Sequence, residues 1–511
     1  MSKKELSMET AVVEKNRHYI MDITGMTHEG QGVGRIEGFA VFVDGALEGE
    51  QAEVRIIKVN KTYAVGKLIS VLKPSPNRVE PFCSAFRRCG GCMLQHMSYK
   101  AQLAFKTQLV KDNLERIGGI SGVIVHETIG MEKPFNYRNK AQYPVSKANG
   151  RIITGFYAAR SHDVVESEHC GIQDKTSEKV RRIVACFIEE KGITVYDEKT
   201  GKGLVRHIMT RVGFNTGEVM VVLVINGESL PYADELVRRL TGGKCEGDKG
   251  RADSGCAKAS GSRNGDCNVG MSGDGLHGNG INDNNMYDSG IPGIRSIYLN
   301  INTENTNVIL GERNVLLYGS ETITDTIGKY KFNISPHSFY QVNPVQTDVL
   351  YRKALEYAGL TGTETVFDLY CGIGTISLFL SEKAAKVIGV EVVEAAVEDA
   401  RRNAKINGVT NAEFYVGEAE KVVPELYKRG LRAGVVVLDP PRKGCDESLL
   451  QLLTDMQPSR IVYVSCNPST LARDLKFLAG HGFTVEEAQP VDMFPMTAHV
   501  ETVVLITKKN D

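Results

Sequence analysis

Ile461-Val462-Tyr463-Val464-Ser465-Cys466-Asn467-Pro468 reads as a strand that runs into a cysteine. Its β-branched and aromatic residues predict a buried strand, and Asn467-Pro468 stops it abruptly. Pro468 cannot donate to a sheet ladder, which sets Cys466 on the loop just past the strand's carboxyl end. In open α/β sheets that edge is where ligands bind. A lone cysteine is commonly a small buried hydrophobe, so the weight given to Cys466 comes from its surroundings.

Around this strand, from about residue 335 onward, strands and helices alternate. The expected strands are 364–368, 386–391, 412–416, 434–438, 460–464 and 500–506. The helical segments between them are long enough for parallel crossovers, predicting a doubly wound, Rossmann-like α/β domain over 335–511. Its first strand enters Asp368-Leu369-Tyr370-Cys371-Gly372-Ile373-Gly374-Thr375. Such a glycine-rich turn lets backbone approach a ligand closely at a helix start. The third glycine of the dinucleotide fingerprint is missing. The second strand ends in Gly389-Val390-Glu391, whose carboxylate suits a ribose diol. The fourth ends in Leu438-Asp439-Pro440-Pro441-Arg442, where the prolines stiffen the loop and hold Asp439 at the ligand edge. Cys371, in the glycine-rich loop, reads as packing, and Cys445 is a weaker rival to Cys466.

Toward the amino terminus, a polar leader (1–16) precedes an all-β module at 17–73. Its expected strands are 17–24, 32–36, 39–43, 51–59 and 63–72. Short strands joined by glycine turns predict a small closed barrel, since closure removes exposed edges. The run Gly30-Gln31-Gly32-Val33-Gly34-Arg35 resembles the TRAM module carried by RNA-modifying enzymes.

Pro74-Ser75-Pro76 marks the next boundary, opening a central α+β domain over 74–334. Cys83, Cys89 and Cys92 lie within ten residues, joined by Gly90-Gly91, and Cys170 follows far downstream. Three close thiolates with a fourth from a distant loop can wrap one centre, and spacing does not separate zinc from iron–sulfur. Between Arg78 and Arg160 there are 13 Lys/Arg against 5 Asp/Glu, in a chain of net charge −1, so the basic footprint is local. Residues 100–117 predict an amphipathic helix. Tyr137-Arg138-Asn139-Lys140-Ala141-Gln142-Tyr143 interleaves cations with aromatics, which suits unpaired bases and phosphates as well as it suits a cross-strand aromatic pair with solvated cations. Residues 241–293 hold 14 glycines in 53 positions and no apolar periodicity, which predicts a flexible, disordered insertion. Its Cys245, Cys256 and Cys267 are scattered and receive no metal role.

The amino terminus lacks the apolar core of a secretory signal, and no stretch is apolar for long enough to span a bilayer. A cytoplasmic protein is expected, with no membrane partner and no obligate protein partner. There, 11 cysteines are reduced, metal-bound or catalytic rather than paired.

Taken together, Ser338-Phe339-Tyr340-Gln341-Val342-Asn343, Asp368-Leu369-Tyr370-Cys371-Gly372, Asp439-Pro440-Pro441-Arg442, Ser465-Cys466-Asn467-Pro468 and His499-Val500-Glu501-Thr502 resemble RNA uracil-C5 methyltransferases. The specific likeness is to the 23S ribosomal RNA enzymes that carry a TRAM module and a four-cysteine 4Fe-4S site. It covers almost the whole chain except the insertion. The resemblance implies that Gln341, Tyr370, Glu391 and Asp439 contact S-adenosyl-L-methionine and that Cys83, Cys89, Cys92 and Cys170 ligate the cluster. It also implies that Cys466 is the nucleophile toward uracil C6, with Glu501 removing the C5 proton, and that RNA is the partner, 23S rRNA before tRNA. For His499 a substrate contact and a structural hydrogen bond are equally open. Competing readings are methylation of an exocyclic amine or another small substrate without a nucleophile, an RNA-binding or chaperone-like protein whose methyltransferase fold is inert, and an iron–sulfur redox enzyme.

Overall fold

The structure, a computed structural model, describes residues 12–243 and 290–509. Most of the expected insertion, with Cys245, Cys256 and Cys267, lies outside the described residues, as do residues 1–11 of the leader. Two compact units emerge: Asn136–Val342, and the preceding residues to Phe135 taken with Asn343–Asp511. Residues 74–135, expected in the central domain, are therefore compact with the carboxyl-terminal half.

In the second of these, β1 (His18–Met26), β2 (Gly32–Ile36), β3 (Phe39–Asp44), β4 (Gln51–Val59) and β5 (Tyr63–Lys73) close into a barrel of order β1-β2-β3-β5-β4. Alternate residues of these strands, among them Met21, Ile23, Val41, Val43, Val54 and Ile56, fill its interior. The glycine run has a steric cause. A Cβ on Gly34 would stand 2.2 Å from Met21 Cε and 2.3 Å from the Asp22 carbonyl. Beyond the barrel come α1 (Tyr99–Arg116) and the short β6 (Ile124–Val125).

The other unit holds β7 (Lys140–Ala148), β8 (Arg151–Tyr157), β9 (Val164–Glu166), α2 (Lys175–Glu190), β10 (Val205–Val212), β11 (Val219–Ile225), α3 (Ala233–Thr241), β12 (Ile294–Ile301) and β13 (Arg313–Gly319). Its sheet runs β13-β12-β11-β10-β7-β8-β9. One face packs Ala141, Tyr143, Ile208, Val221 and Leu299 against Val180, Ile183, Val184 and Phe187 of α2. Thr241 and Ile291, at the two margins of the expected insertion, are buried, and the Ile291 amide donates to the Leu240 carbonyl at 2.8 Å. The hairpin β14 (Ile323–Ile327) and β15 (Tyr330–Ile334) completes this unit.

The chain then forms α4 (Pro344–Ala358), β16 (Thr365–Leu369), α5 (Thr375–Leu380), β17 (Lys386–Glu391), α6 (Glu394–Ile406), β18 (Ala412–Val416), α7 (Ala419–Lys428), β19 (Val435–Leu438), α8 (Glu447–Met456), β20 (Arg460–Ser465), α9 (Pro468–Gly480), β21 (Phe483–Val491) and β22 (Glu501–Lys508). The sheet order is β18-β17-β16-β19-β20-β22-β21-β6. All six expected strands are present. The sheet is mixed, however: β20 and β21 pair β22 antiparallel, and the carboxyl-terminal β21 takes β6 from residues before the other unit as its parallel neighbour. Successive parallel strands leave β16 on opposite sides, through β17 and through β19, so the switch point lies between the ends of β16 and β19.

Candidate active site

At that switch point Leu369 stands beside Leu438, so Tyr370 and Asp439 leave neighbouring strands together. Tyr370 has φ +69°, a left-handed backbone that a bulky residue rarely holds without reason. Its amide donates to the Val390 carbonyl at 3.0 Å, and that of Cys371 to the same oxygen at 3.1 Å. The Gly372 amide donates to Glu391 Oε2 at 3.2 Å, while Glu391 Oε1 accepts from the Val393 amide at 3.0 Å. Strand ends β16 and β17 are thus bound into one rigid lip. Gly374, φ +80°, caps α5 where a Cβ would press Ala400 and Phe414 at 3.1 Å.

Beneath the lip lies Asp368, fully buried. Its Oδ2 accepts from the Ser377 hydroxyl at 2.5 Å, and its buried Oδ1 has no hydrogen-bond partner among the described residues. Burial, with the nearby Asp439 charge, pushes this carboxyl up to about 7. Asp439 is itself pushed up to about 7 by burial.

Cys466 follows β20, one step beyond the pair Ser465–Thr502, which brings it level with Glu501 on β22. Burial, then Glu501 and Asp439, push its thiol up to about 11, with Arg442 opposing them. Glu501 is buried, and desolvation followed by the Asp439 charge lifts it to about 8, again against Arg442. Asn467 caps α9 through its side-chain oxygen and the Ser469 amide, and its Nδ2 donates to the Arg442 carbonyl at 3.1 Å. Thr470 Oγ1 donates to that carbonyl at 3.1 Å too. The loop after β19 is thereby fastened to the turn that carries Cys466. Asp474 secures it from below, accepting from the Cys445 amide at 2.8 Å and the Tyr463 hydroxyl at 2.7 Å.

The rival thiols are buried. Cys371 lies so close to β17 that a Cβ on Gly389 would come within 2.9 Å of its sulfur. Cys445 donates to Tyr463 Oη at 3.5 Å, and burial pushes its thiol up to about 12. His499 lies edge-on to the Phe494 ring. Sequence reasoning assigns no role to Asp368 or Arg442. The available signal is an acid inside the otherwise apolar end of β16, and a cation directly after two prolines.

Gln341 belongs to the unit Asn136–Val342, where its carbonyl accepts from Asn139 Nδ2 at 3.0 Å. The cysteines divide similarly: Cys83, Cys89 and Cys92 share one loop, while Cys170 is in the other unit. Cys89 Sγ accepts from the Gly91 amide at 3.4 Å, and Cys83 is near enough to raise the Cys89 thiol beyond what burial does. Glu178 accepts from the Cys170 amide. Among the described residues no group of three or more His, Cys, Asp or Glu is gathered to hold a metal ion.

The family model "tRNA (Uracil-5-)-methyltransferase" matches residues 307–509, and the TRAM domain matches 14–69. An uncharacterized RNA methyltransferase of Clostridium tetani is 49% identical over 98% of both chains. Another, from Caldanaerobacter subterraneus, is 49% identical over 97% of this chain and 99% of its own. Among solved structures, the Pyrococcus abyssi tRNA (uracil-54, C5)-methyltransferase in complex with S-adenosyl-L-homocysteine is 28% identical, with a TM-score of 0.70 over 96% of this chain and 100% of that one. The chain thus belongs to the RNA uracil-5 methyltransferase family and shares its S-adenosylmethionine-dependent fold.

Proposed function

We propose that the protein methylates C5 of uridine in RNA through a covalent adduct of Cys466. The supporting observation is the meeting of one thiol with two acids of raised pKa, Glu501 and Asp439, at the ligand edge of the sheet. S-adenosyl-L-methionine supplies the methyl as an electrophilic sulfonium. Uracil C5 is a poor nucleophile toward it, so the ring is activated from the enzyme's side. Cys466, its thiol proton lost to solvent, adds as the thiolate to C6, giving an enolate whose C5 takes the methyl as the donor's S–CH3 bond breaks and a neutral thioether leaves; Glu501 then accepts the C5 proton as the S–C6 bond breaks and frees the thiolate. Its carboxyl, lifted to about 8, is matched to that task near neutral pH. Arg442 supplies the charge that favours the thiolate. The target base leaves its stack to reach the sulfur.

Gln341, Tyr370, Glu391 and Asp439 are the proposed cofactor contacts. The rigid lip, the free Asp368 oxygen below it and the Glu391 carboxylate suit an adenosyl ligand at a sheet switch point. Cys83, Cys89, Cys92 and Cys170 are the proposed donors of the 4Fe-4S cluster. Adjacent thiols with an amide hydrogen bond to one sulfur suit that chemistry, the amide favouring the thiolate form. The cluster would organise the RNA-binding surface rather than take part in methyl transfer. We place the enzyme in the cytoplasm with its RNA; no helix among the described residues is long and apolar enough to cross a membrane.

Ribosomal 23S RNA is the first substrate proposed, on the combined barrel and cysteine set. Transfer RNA is the second, favoured by the substrate named for the Pyrococcus abyssi structure. Purified protein incubated with unmodified 23S rRNA and tRNA transcripts should deposit 5-methyluridine, mapped by nuclease digestion and mass spectrometry. Methyl groups on an exocyclic amine, or on neither RNA, would overturn the proposal.

A further inference from the structure

In the unit Asn136–Val342, β7 and β10 run antiparallel with Lys140 directly opposite Arg211. Residues so paired share a sheet face, where like charges ordinarily destabilise the pairing. Their neighbours Ala141, Tyr143, Ile208 and Val212 project into the core beside α2, so by strand alternation Lys140 and Arg211 project from the opposite face.

Arg211 is only 4% exposed. Its Nη2 donates to the carbonyls of Pro336 at 3.1 Å and Ser338 at 2.6 Å, holding against it the loop that carries His337. Its Nε is buried without a hydrogen-bond partner among the described residues. The charges acting on the group are all positive. Burial, then Arg211 and Arg138, push the Lys140 ammonium down to about 8. Burial, then Arg211 and Lys140, push His337 down as well, and burial alone pushes Arg211 down to about 10. No carboxylate among the described residues pairs with any of them.

Arg211 and Lys140, two cations on one sheet face with no carboxylate among the described residues paired to them, are stable together when an anion reaches them from the side where the exposed His337 stands. A guanidinium edge beside an ammonium offers the donors that phosphate oxygens accept. We propose that Arg211, Lys140 and His337 form a phosphate site that takes one backbone phosphodiester of the RNA substrate. This rests on the reading of the protein as an RNA methyltransferase and adds a positioning role to it: the site fixes the strand without reading its sequence.

The test uses Lys140→Gln in the full-length protein, with binding to a 23S rRNA transcript measured across salt concentrations. Removing a cation that neutralises the phosphate should lower the slope of log affinity against log salt by about 0.7 to 0.9. For Lys140→Gln, affinity at low salt should fall about tenfold, and without RNA the variant should melt at or above the wild-type temperature, because a repulsion has been removed. Wild-type slope and affinity in a folded Lys140→Gln protein would overturn the proposal, as would a lowered melting temperature with unchanged slope, which marks a purely structural lysine. A lowered slope in protein that methylates no RNA would uphold the phosphate site and sink the methyltransfer chemistry instead.

Discussion

At the scale of single residues the proposed chemistry turns on the Cys466 thiol and the three charged groups around it. Burial first, then Glu501 and Asp439, hold the Cys466 thiol protonated while Arg442 draws it toward the thiolate, so removal of either carboxylate changes more than one proposed step. Glu501→Gln should ease formation of the Cys466 thiolate, still permit attack and methyl transfer, and block loss of the C5 proton. Turnover should fall by about 100-fold or more, with a methylated RNA–protein adduct accumulating as a denaturant-resistant band on gels. The same substitution carries a stability prediction. A carboxyl raised from 4.5 to about 8 binds more protons folded than unfolded across that window, so wild-type stability falls as pH climbs through it. Glu501→Gln should flatten that fall, which thermal melts between about pH 5 and pH 8 will show. The position of Cys466 was legible in the sequence because Asn467-Pro468 ends the strand there. The fields on it were not, since Asp439, Arg442 and Glu501 come from separate strand ends that only the sheet order brings together.

At the scale of elements, the barrel strands and the parallel strands β16 to β20 were readable because they combine β-branched residues with, in all but β17, a glycine, proline or asparagine stop. The strand β21 was not. Phe483–Val491 carries two adjacent glutamates and Pro490, and its register shifts between Val485 and Glu487. Such a strand shows no clean alternation, and only pairing with β22 and β6 identifies it. Nor could periodicity show that residues 124–125 supply a neighbour to a strand more than 350 positions on. The packing between β17 and the lip proposed to hold the cofactor gives a direct test. A Cβ at Gly389 would meet Phe414 Cδ1 at 2.5 Å and Cys371 Sγ at 2.9 Å. Gly389→Ala should therefore cost about 1–3 kcal/mol, read as a lowered melting temperature, and should weaken S-adenosylmethionine binding measured by calorimetry.

At the scale of the whole molecule, the chain interrupts one compact unit with another. Residues up to Phe135 join those from Asn343 onward, and the buried Lys106–Asp492 pair at 2.5 Å is one of the bonds that ties them. A linear reading divides such a chain at Pro74-Ser75-Pro76 and cannot see that α1 packs on α9. The cysteine set spans both units for the same reason: spacing identifies three thiols, and the fourth depends on family resemblance. Protein purified without oxygen should contain about four iron and four sulfide per chain, with the Cys89→Ser variant losing most of both. Zinc in their place would overturn the cluster assignment and leave the methyl chemistry untouched.

The proposed methyl chemistry stands on a bond between Cys466 and uracil C6. RNA in which uridine is replaced by 5-fluorouridine should trap it, because fluorine cannot leave C5 as a proton does. Denaturing gels followed by peptide mass spectrometry should find one methylated fluoropyrimidine nucleotide on Cys466, and none in Cys466→Ala. An enzyme that forms 5-methyluridine on ordinary RNA but yields no adduct, or an adduct on another cysteine, would contradict it.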